Sequence, residues 1–201
     1  VPLAHPLFVL GIWLRRRLNR PVAPLPYRAT RRMVGGLQVG FLAGVMVPLF
    51  DRTATRWLAT FFMAPLIGSF LRDWGLISER MDPTSDLYRR RLRTLSLFLT
   101  QRLPLALRAV IVPLTLLIRR SWPESLQWAA LISSVMIALG LAGRTASGVL
   151  LIVVSLATRQ RSVNGFDVIL LALSTAVLFL GTGPFAIWSP ERRLLMERAG
   201  E

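Results

Sequence analysis

The sequence predicts an all-α protein, a polytopic integral membrane helix bundle of about six transmembrane helices. Three observations predict it. Long apolar runs come first: Leu126 to Gly143 is almost uncharged, Thr145 to Thr158 is apolar again, and Phe166 to Trp188 holds one ionisable residue, Asp167. A bilayer core of roughly 30 Å takes about 20 apolar residues of helix, and lipid offers no partner to an unpaired backbone amide. Such runs are therefore helices. Second, hydrophobic residues make up 53 % of the chain, and its mean hydropathy is +0.52. Third, the charges gather in short stretches between the runs, and arginine dominates them.

Composition also narrows function. The 201 residues include no cysteine, which removes disulfides, thiolate metal ligands, iron–sulfur clusters and a cysteine nucleophile together. The single histidine, His5, argues against a histidine-rich metal or haem site and reads as structural, standing before a proline. All 25 basic residues are arginine, and the formal net charge is +15. In a soluble chain that excess would point to nucleic acid. Beside these apolar runs it points instead to membrane topology and anionic lipid headgroups, with no nucleic acid as partner. The chain begins at Val1 without a complete signal peptide, so the expectation is the later part of a longer protein.

Residues 1–32 form the first unit. Val1 to Leu14 is apolar but too short to span, a truncated helix or an interfacial segment. Arg15, Arg16, Arg17, Arg20, Arg28, Arg31 and Arg32 follow around Pro21, Pro24 and Pro26. Seven arginines in one loop place it in the cytoplasm of a bacterial membrane protein.

Residues 33–94 form the second. Met33 to Phe50 is expected to span, with Gly36, Gly40 and Gly44 on one face where another helix can approach closely. Asp51 to Arg56 makes a polar turn, and Trp57 to Leu71 returns, with Trp57 and Trp74 as interfacial anchors. Arg72 to Thr94 carries six arginines against Asp73, Glu79, Asp82 and Asp86. It is the second cytoplasmic loop. Asp82 and Asp86 among those arginines read as solvated ion pairs rather than an acid–base couple.

Residues 95–201 form the third, with four spans and a cytoplasmic tail. Leu95 to Ile118 contains Arg102, Arg108, Pro104 and Pro113. An arginine inside a span costs roughly 2.5–3.5 kcal/mol on insertion scales, so it is paired or faces a cavity. Arg102 can snorkel to the edge. Arg108 lies deeper, and a structural partner outweighs catalysis as its reading. Arg119 and Arg120 stand on the outer side, against the positive-inside rule. Arg144 marks the cytoplasmic joint between the next two spans, with Gly140 and Gly143 as packing positions beside it. Asp167 reads as a helix N-terminal acid, favoured by the dipole.

The second span of this unit closes with Ala138-Leu-Gly-Leu-Ala-Gly-Arg144, and the fourth with Leu180-Gly-Thr-Gly-Pro-Phe-Ala-Ile-Trp188. On these motifs the second half, about residues 95–188, resembles the DoxX/DoxD-like membrane family. Its four-helix proteins carry a Gly-Leu-x-x-Arg joint after the second helix and a Gly-x-Gly closing the fourth. The resemblance implies a membrane subunit associated with quinone-linked electron transfer, such as the thiosulfate:quinone oxidoreductase branch. A quinone or a bound lipid would then be the cofactor, and Arg108, Arg144, Ser133, Ser134 and Asp167 are the polar groups available to it.

The first half echoes the CDP-alcohol phosphatidyltransferases in Asp51, Ala54, Arg56, Gly68 and Asp73. The glycine after the first aspartate and the later aspartate pair are missing, so that family's metal site would lie upstream of Val1. No nucleotide loop, serine elbow or dinucleotide fingerprint is present. The expected function is therefore a non-catalytic accessory subunit of a respiratory or photosynthetic membrane complex, with other membrane subunits as partners. The alternatives are a quinone-reactive or lipid-headgroup enzyme, and, on Pro113 alone, a small transporter.

Overall fold

The computed structural model describes residues 4–23, 29–46, 50–82, 85–159, 161 and 163–188, and these are all-helical, with no strand among them. The helices are α1 (Ala4–Arg17), α2 (Ala29–Met46), α3 (Arg52–Ile77), α4 (Asp86–Leu97), α5 (Leu103–Ile118), α6 (Glu124–Leu139), α7 (Gly143–Arg159) and α8 (Gly165–Leu180). His5 lies in α1 with its side chain outside the described set, and the expected tail from Ser189 is outside it altogether.

Local chemistry sets the boundaries. Asp51 caps α3 by accepting from Thr53 N at 2.9 Å, and Ser85 caps α4 by accepting from Tyr88 N at 3.3 Å. Both are favoured N-cap residues because a short side-chain oxygen reaches an orphan amide. Asn164 and Asp167 open α8 with a reciprocal capping box, each bond 2.9 Å. The basic loop expected at 72–94 is partly helical: α3 runs on through Arg72 to Ile77, and α4 begins at Asp86. From α4 the helix continues through a π turn at Phe98–Arg102 directly into α5. Pro104 has no N–H for the Thr100 carbonyl four residues back, which is the physical reason for an irregular turn there.

The Leu126–Gly143 and Phe166–Trp188 runs fold as shorter helices than their apolar length suggests. Gly140 (φ 71°) and Gly181 (φ 79°) take positive φ and stop α6 at Leu139 and α8 at Leu180. Glycine does this without the Cβ penalty other residues meet. Among the described residues, two helices are long and apolar enough to cross a membrane, α3 and the continuous helix Asp86–Ser121. Val34–Met46, Glu124–Leu139 and Gly165–Leu180 are apolar but shorter.

Helices α5, α6, α7 and α8 form a closed four-helix ring, each packed on the next and α8 back on α5. Helix α3 leans on α8, and α2 lies on α3. Leu58, Ile111, Ile137, Leu150, Val154 and Leu170 fill the centre. Phe62 of α3 meets Phe179 edge-on at 5.1 Å, while Phe41 of α2 stacks on Phe62 at 4.6 Å. Beyond Phe62, α3 runs 15 further residues to Ile77, about 22 Å at 1.5 Å per residue. Helix α1 packs against that extension, with Phe8 touching Phe70 and Trp74.

Hydroxyl side chains are buried within this apolar core, and large apolar side chains also stand exposed on its outer face. Thr115, Ser133, Ser134, Ser147, Ser155, Ser174 and Thr175 are buried between the helices. Trp128, Ile132, Val135 and Leu139 form an exposed stripe on α6, and Leu105, Val110, Leu116 and Leu117 are exposed on α5. In the apolar windows of the two long helices 17 % and 33 % of residues are buried, so most of that apolar surface is exposed in this chain. Buried small hydroxyl residues and an apolar outer face suit lipid, where close helix approach rather than water exclusion drives packing.

Candidate functional site

The motifs of the second half meet at one end of the ring, around Arg108. Helix α5 turns Pro104, Leu107, Arg108, Ile111, Thr115 and Ile118 inward at spacings of three and four, so the arginine points to the interior with 8 % of its surface exposed. It finds backbone carbonyls there. Arg108 Nε and Nη2 donate to Ala138 O at 2.9 and 2.5 Å, and Nη1 donates to Thr182 O at 3.1 Å and Pro184 O at 3.2 Å. A longer Nη2 bond of 3.5 Å reaches Phe185 O.

These acceptors are available because two helices end here. Gly140 N donates to Ile137 O and Leu141 N to Met136 O, the paired bonds of a left-handed helix stop. That leaves the Ala138 and Leu139 carbonyls. Arg108 takes the first, and Ile187 N takes the second at 3.3 Å. The segment after α8 then runs alongside the α6–α7 joint, with Trp188 N donating to Gly140 O at 3.2 Å and Ala142 N to Trp188 O at 2.8 Å. The last carbonyls of α6 are thus all met without water, as a low-dielectric setting demands.

The C-terminus of α6, whose last turn holds Ala138 O, presents the negative end of its peptide dipoles to the guanidinium. The other donors reach carbonyls of the segment after α8. These partners of Arg108 are all backbone groups.

Glycine makes the junction fit. A Cβ on Gly140 would lie 2.6 Å from Ala186 Cα, and one on Gly143 would collide with Thr182 Cγ2. At Gly183 (φ 71°) it would lie 2.8 Å from Pro104 Cβ and 3.0 Å from Thr100 O, the carbonyl that Pro104 leaves open. Gly140 and Gly143 lie at close approach to the segment following α8 rather than to a helix. Gly36 and Gly40 have nothing within 4 Å of a Cβ, and Gly44 faces Phe50. Among the described residues, the α2 stripe is open at Gly36 and Gly40 and covered at Gly44.

Of the polar groups that the sequence made available to a ligand, Arg108 and Arg144 share this end. Half-buried Arg144 lies beside Gly181, whose Cβ position is 3.5 Å from Arg144 Nη2. Ser133 and Ser134 sit about a turn deeper in α6, and the Ser134 hydroxyl bonds Leu131 O at 2.9 Å. Asp167 is at the far end of α8, about 21 Å from Gly181 at helical rise. There it bonds Arg161 at 2.6 Å. The set is not one site. Arg102 is exposed. Asp51 and Asp73 stand at opposite ends of α3, about 33 Å apart by the same rise, so they cannot share a metal. No group of three or more histidine, cysteine or acidic residues able to hold a metal occurs among the described residues.

Gly181, Thr182 and Gly183 appeared in sequence as the motif closing the fourth span, and Pro104 as a proline within the first, but none was read as a neighbour of Arg108. Their signal was a Gly-Thr-Gly just past an apolar helix, which marks a helix stop followed by a turn. Gln38 was also missed: buried in α2, it donates to Phe62 O at 2.5 Å, three residues before Pro65 in α3. No protein-family model, curated protein or solved structure matches the chain.

Proposed function

We propose that this chain is a polytopic integral membrane protein in which α2, α3, α5, α6, α7 and α8 span. It acts as a non-catalytic accessory subunit packed into a larger membrane complex. The observation that carries the membrane reading is the apolar outer face, the exposed stripe of Trp128, Ile132, Val135 and Leu139, with hydroxyl side chains buried among the core residues. The shorter helices suit a locally thinned bilayer, a modest cost per ångström of mismatch. The non-catalytic reading draws on Arg108, whose donors are occupied by backbone carbonyls and so are not offered to a quinone. The open Gly36–Gly40 face of α2 suits a neighbouring subunit's helix. Assignment of the parent complex to quinone-linked electron transfer rests on the DoxX-like motifs alone.

The test is extraction in mild detergent, native-gel separation, and mass spectrometry with an absorption spectrum of the band. Co-migration with haem- or pigment-bearing subunits supports the proposal. A solitary, colourless band that turns over a quinone or a lipid substrate would overturn it.

A further inference from the structure

Helix α4 buries no residue, although it carries the strongest separation of apolar and charged residues in the chain. At 100° per residue, Leu87, Tyr88, Leu92, Leu95 and Leu99 fall on one side of Asp86–Leu97 and its continuation. Arg89, Arg90 and Arg93 fall on the other, with Leu97 between Arg93 and Arg90, and all four are exposed. Arg91 projects near the apolar side, also exposed, where its long stem can carry the charge outward.

The surroundings are basic as well. Arg72 near the end of α3 bonds Tyr88 Oη at 3.4 Å, and Ala23 N, just past α1, bonds Ile77 O at 3.3 Å. The end of α1, with exposed Arg16, Arg17 and Arg20, therefore lies at the same end of the molecule as the start of α4. Asp73, Glu79, Asp82 and Asp86 offset only part of that charge, and Asp73 is buried.

We infer that the α4 surface is a docking site for anionic phospholipid, its leucine side set into the acyl boundary and Arg89, Arg90 and Arg93 at the phosphates. This rests on the membrane reading above. An amphipathic helix with basic residues on its polar side is held at an interface by buried apolar area plus attraction to anionic lipid. Each arginine near such a surface contributes about a fivefold preference. The helix enters α5 directly through the π turn, so α4 is fixed where that span begins.

The absence of cysteine makes the test clean. An environment-sensitive fluorophore is placed at Leu95→Cys or at Arg90→Cys, about 140° apart on α4. The full chain is then reconstituted in vesicles of phosphatidylcholine alone or with phosphatidylglycerol. The Leu95 position should move to an apolar environment on adding phosphatidylglycerol while the Arg90 position stays aqueous. In native mass spectrometry, R89Q/R90Q/R93Q should lose on the order of a hundredfold in phosphatidylglycerol preference, by the same arginine estimate. An Arg119→Gln/Arg120→Gln control should not.

Equal emission at both positions, or no difference between lipids, would overturn the inference. So would a response to a homopolymeric RNA in place of the vesicles. Alkaline carbonate extraction separates the two readings. A chain released by carbonate refutes the membrane reading itself, whereas a retained chain with no lipid response refutes the α4 surface alone.

Discussion

The Arg108 guanidinium and the Ala138 carbonyl are bonded twice, through Nε at 2.9 Å and Nη2 at 2.5 Å, although 30 residues separate them. The contact joins α5 to the last turn of α6, and the same side chain reaches the segment beyond α8. A long polar group at depth thus serves the backbone of two helix ends.

Arg108→Gln should accordingly behave as a stability mutant. A buried carbonyl left without a donor costs about 1–3 kcal/mol, and several are left at once, so the loss should reach about 3 kcal/mol or more. For a chain of this size that is roughly a 6–12 °C fall in Tm, read by thermal unfolding in detergent. Arg108→Lys should recover part of it, since an ammonium restores the charge but not the planar fork. A glutamine variant with unchanged Tm and altered ligand binding would show instead that Arg108 serves a ligand.

Much of this was legible in sequence, and what was not has a physical cause. The apolar runs announced the helices, and Arg108 stood out because a charge within an apolar run demands a partner. Its partner was invisible because it is a carbonyl, which every residue carries. The Gly140–Arg144 joint and the Gly181–Gly183 turn were each visible as motifs, but nothing in one-dimensional spacing shows that Gly143 stands against Thr182. The stripe of Gly36 and Gly40 had the regular spacing of a packing face, yet no described residue stands against those positions. Spacing places residues on a face without saying what that face meets.

The glycines should therefore separate in their response to alanine. At Gly183, positive φ and the contacts with Pro104 and Thr100 both penalise a Cβ, and a loss of about 1–3 kcal/mol is expected from the strained backbone alone. At Gly40 the space is empty and the residue lies within α2, so alanine should gain about 0.5–1 kcal/mol. Paired thermal unfolding in detergent reads both. A destabilising Gly40→Ala in the isolated chain would contradict the open face.

Opposite the Arg108 junction, Asp167 is 0 % exposed, bonds Asn164 N at 2.9 Å and pairs with Arg161, which is 21 % exposed. Asn164→Ala removes the cap acceptor and should cost about 1 kcal/mol. Asp167→Ala also leaves Arg161 without that acceptor, and should cost more than the cap alone. Hydrogen exchange at the first turn of α8 should rise in both variants while exchange near Gly181 is unchanged. A uniform rise along α8 would mean that the capping box governs the whole helix rather than its first turn.

The last prediction concerns Gln38, which repeats the logic of Arg108 on a smaller scale. Pro65 removes the amide that would donate to Phe61 O in the middle of α3, and its ring crowds that carbonyl and the turn that also holds Phe62 O. Gln38, buried in α2, donates to Phe62 O in that same turn at 2.5 Å. If the amide is there because the proline loosens the turn, the two substitutions are coupled. Gln38→Leu alone should cost about 1 kcal/mol for the lost bond, and should cost less in a Pro65→Ala background, where the helix ladder closes again. A double-mutant cycle on thermal stability should then give a coupling energy of about 0.5 kcal/mol or more. Strict additivity would show that Gln38 fixes the α2–α3 contact independently of the proline, with Phe41 and Phe62 holding the register by themselves.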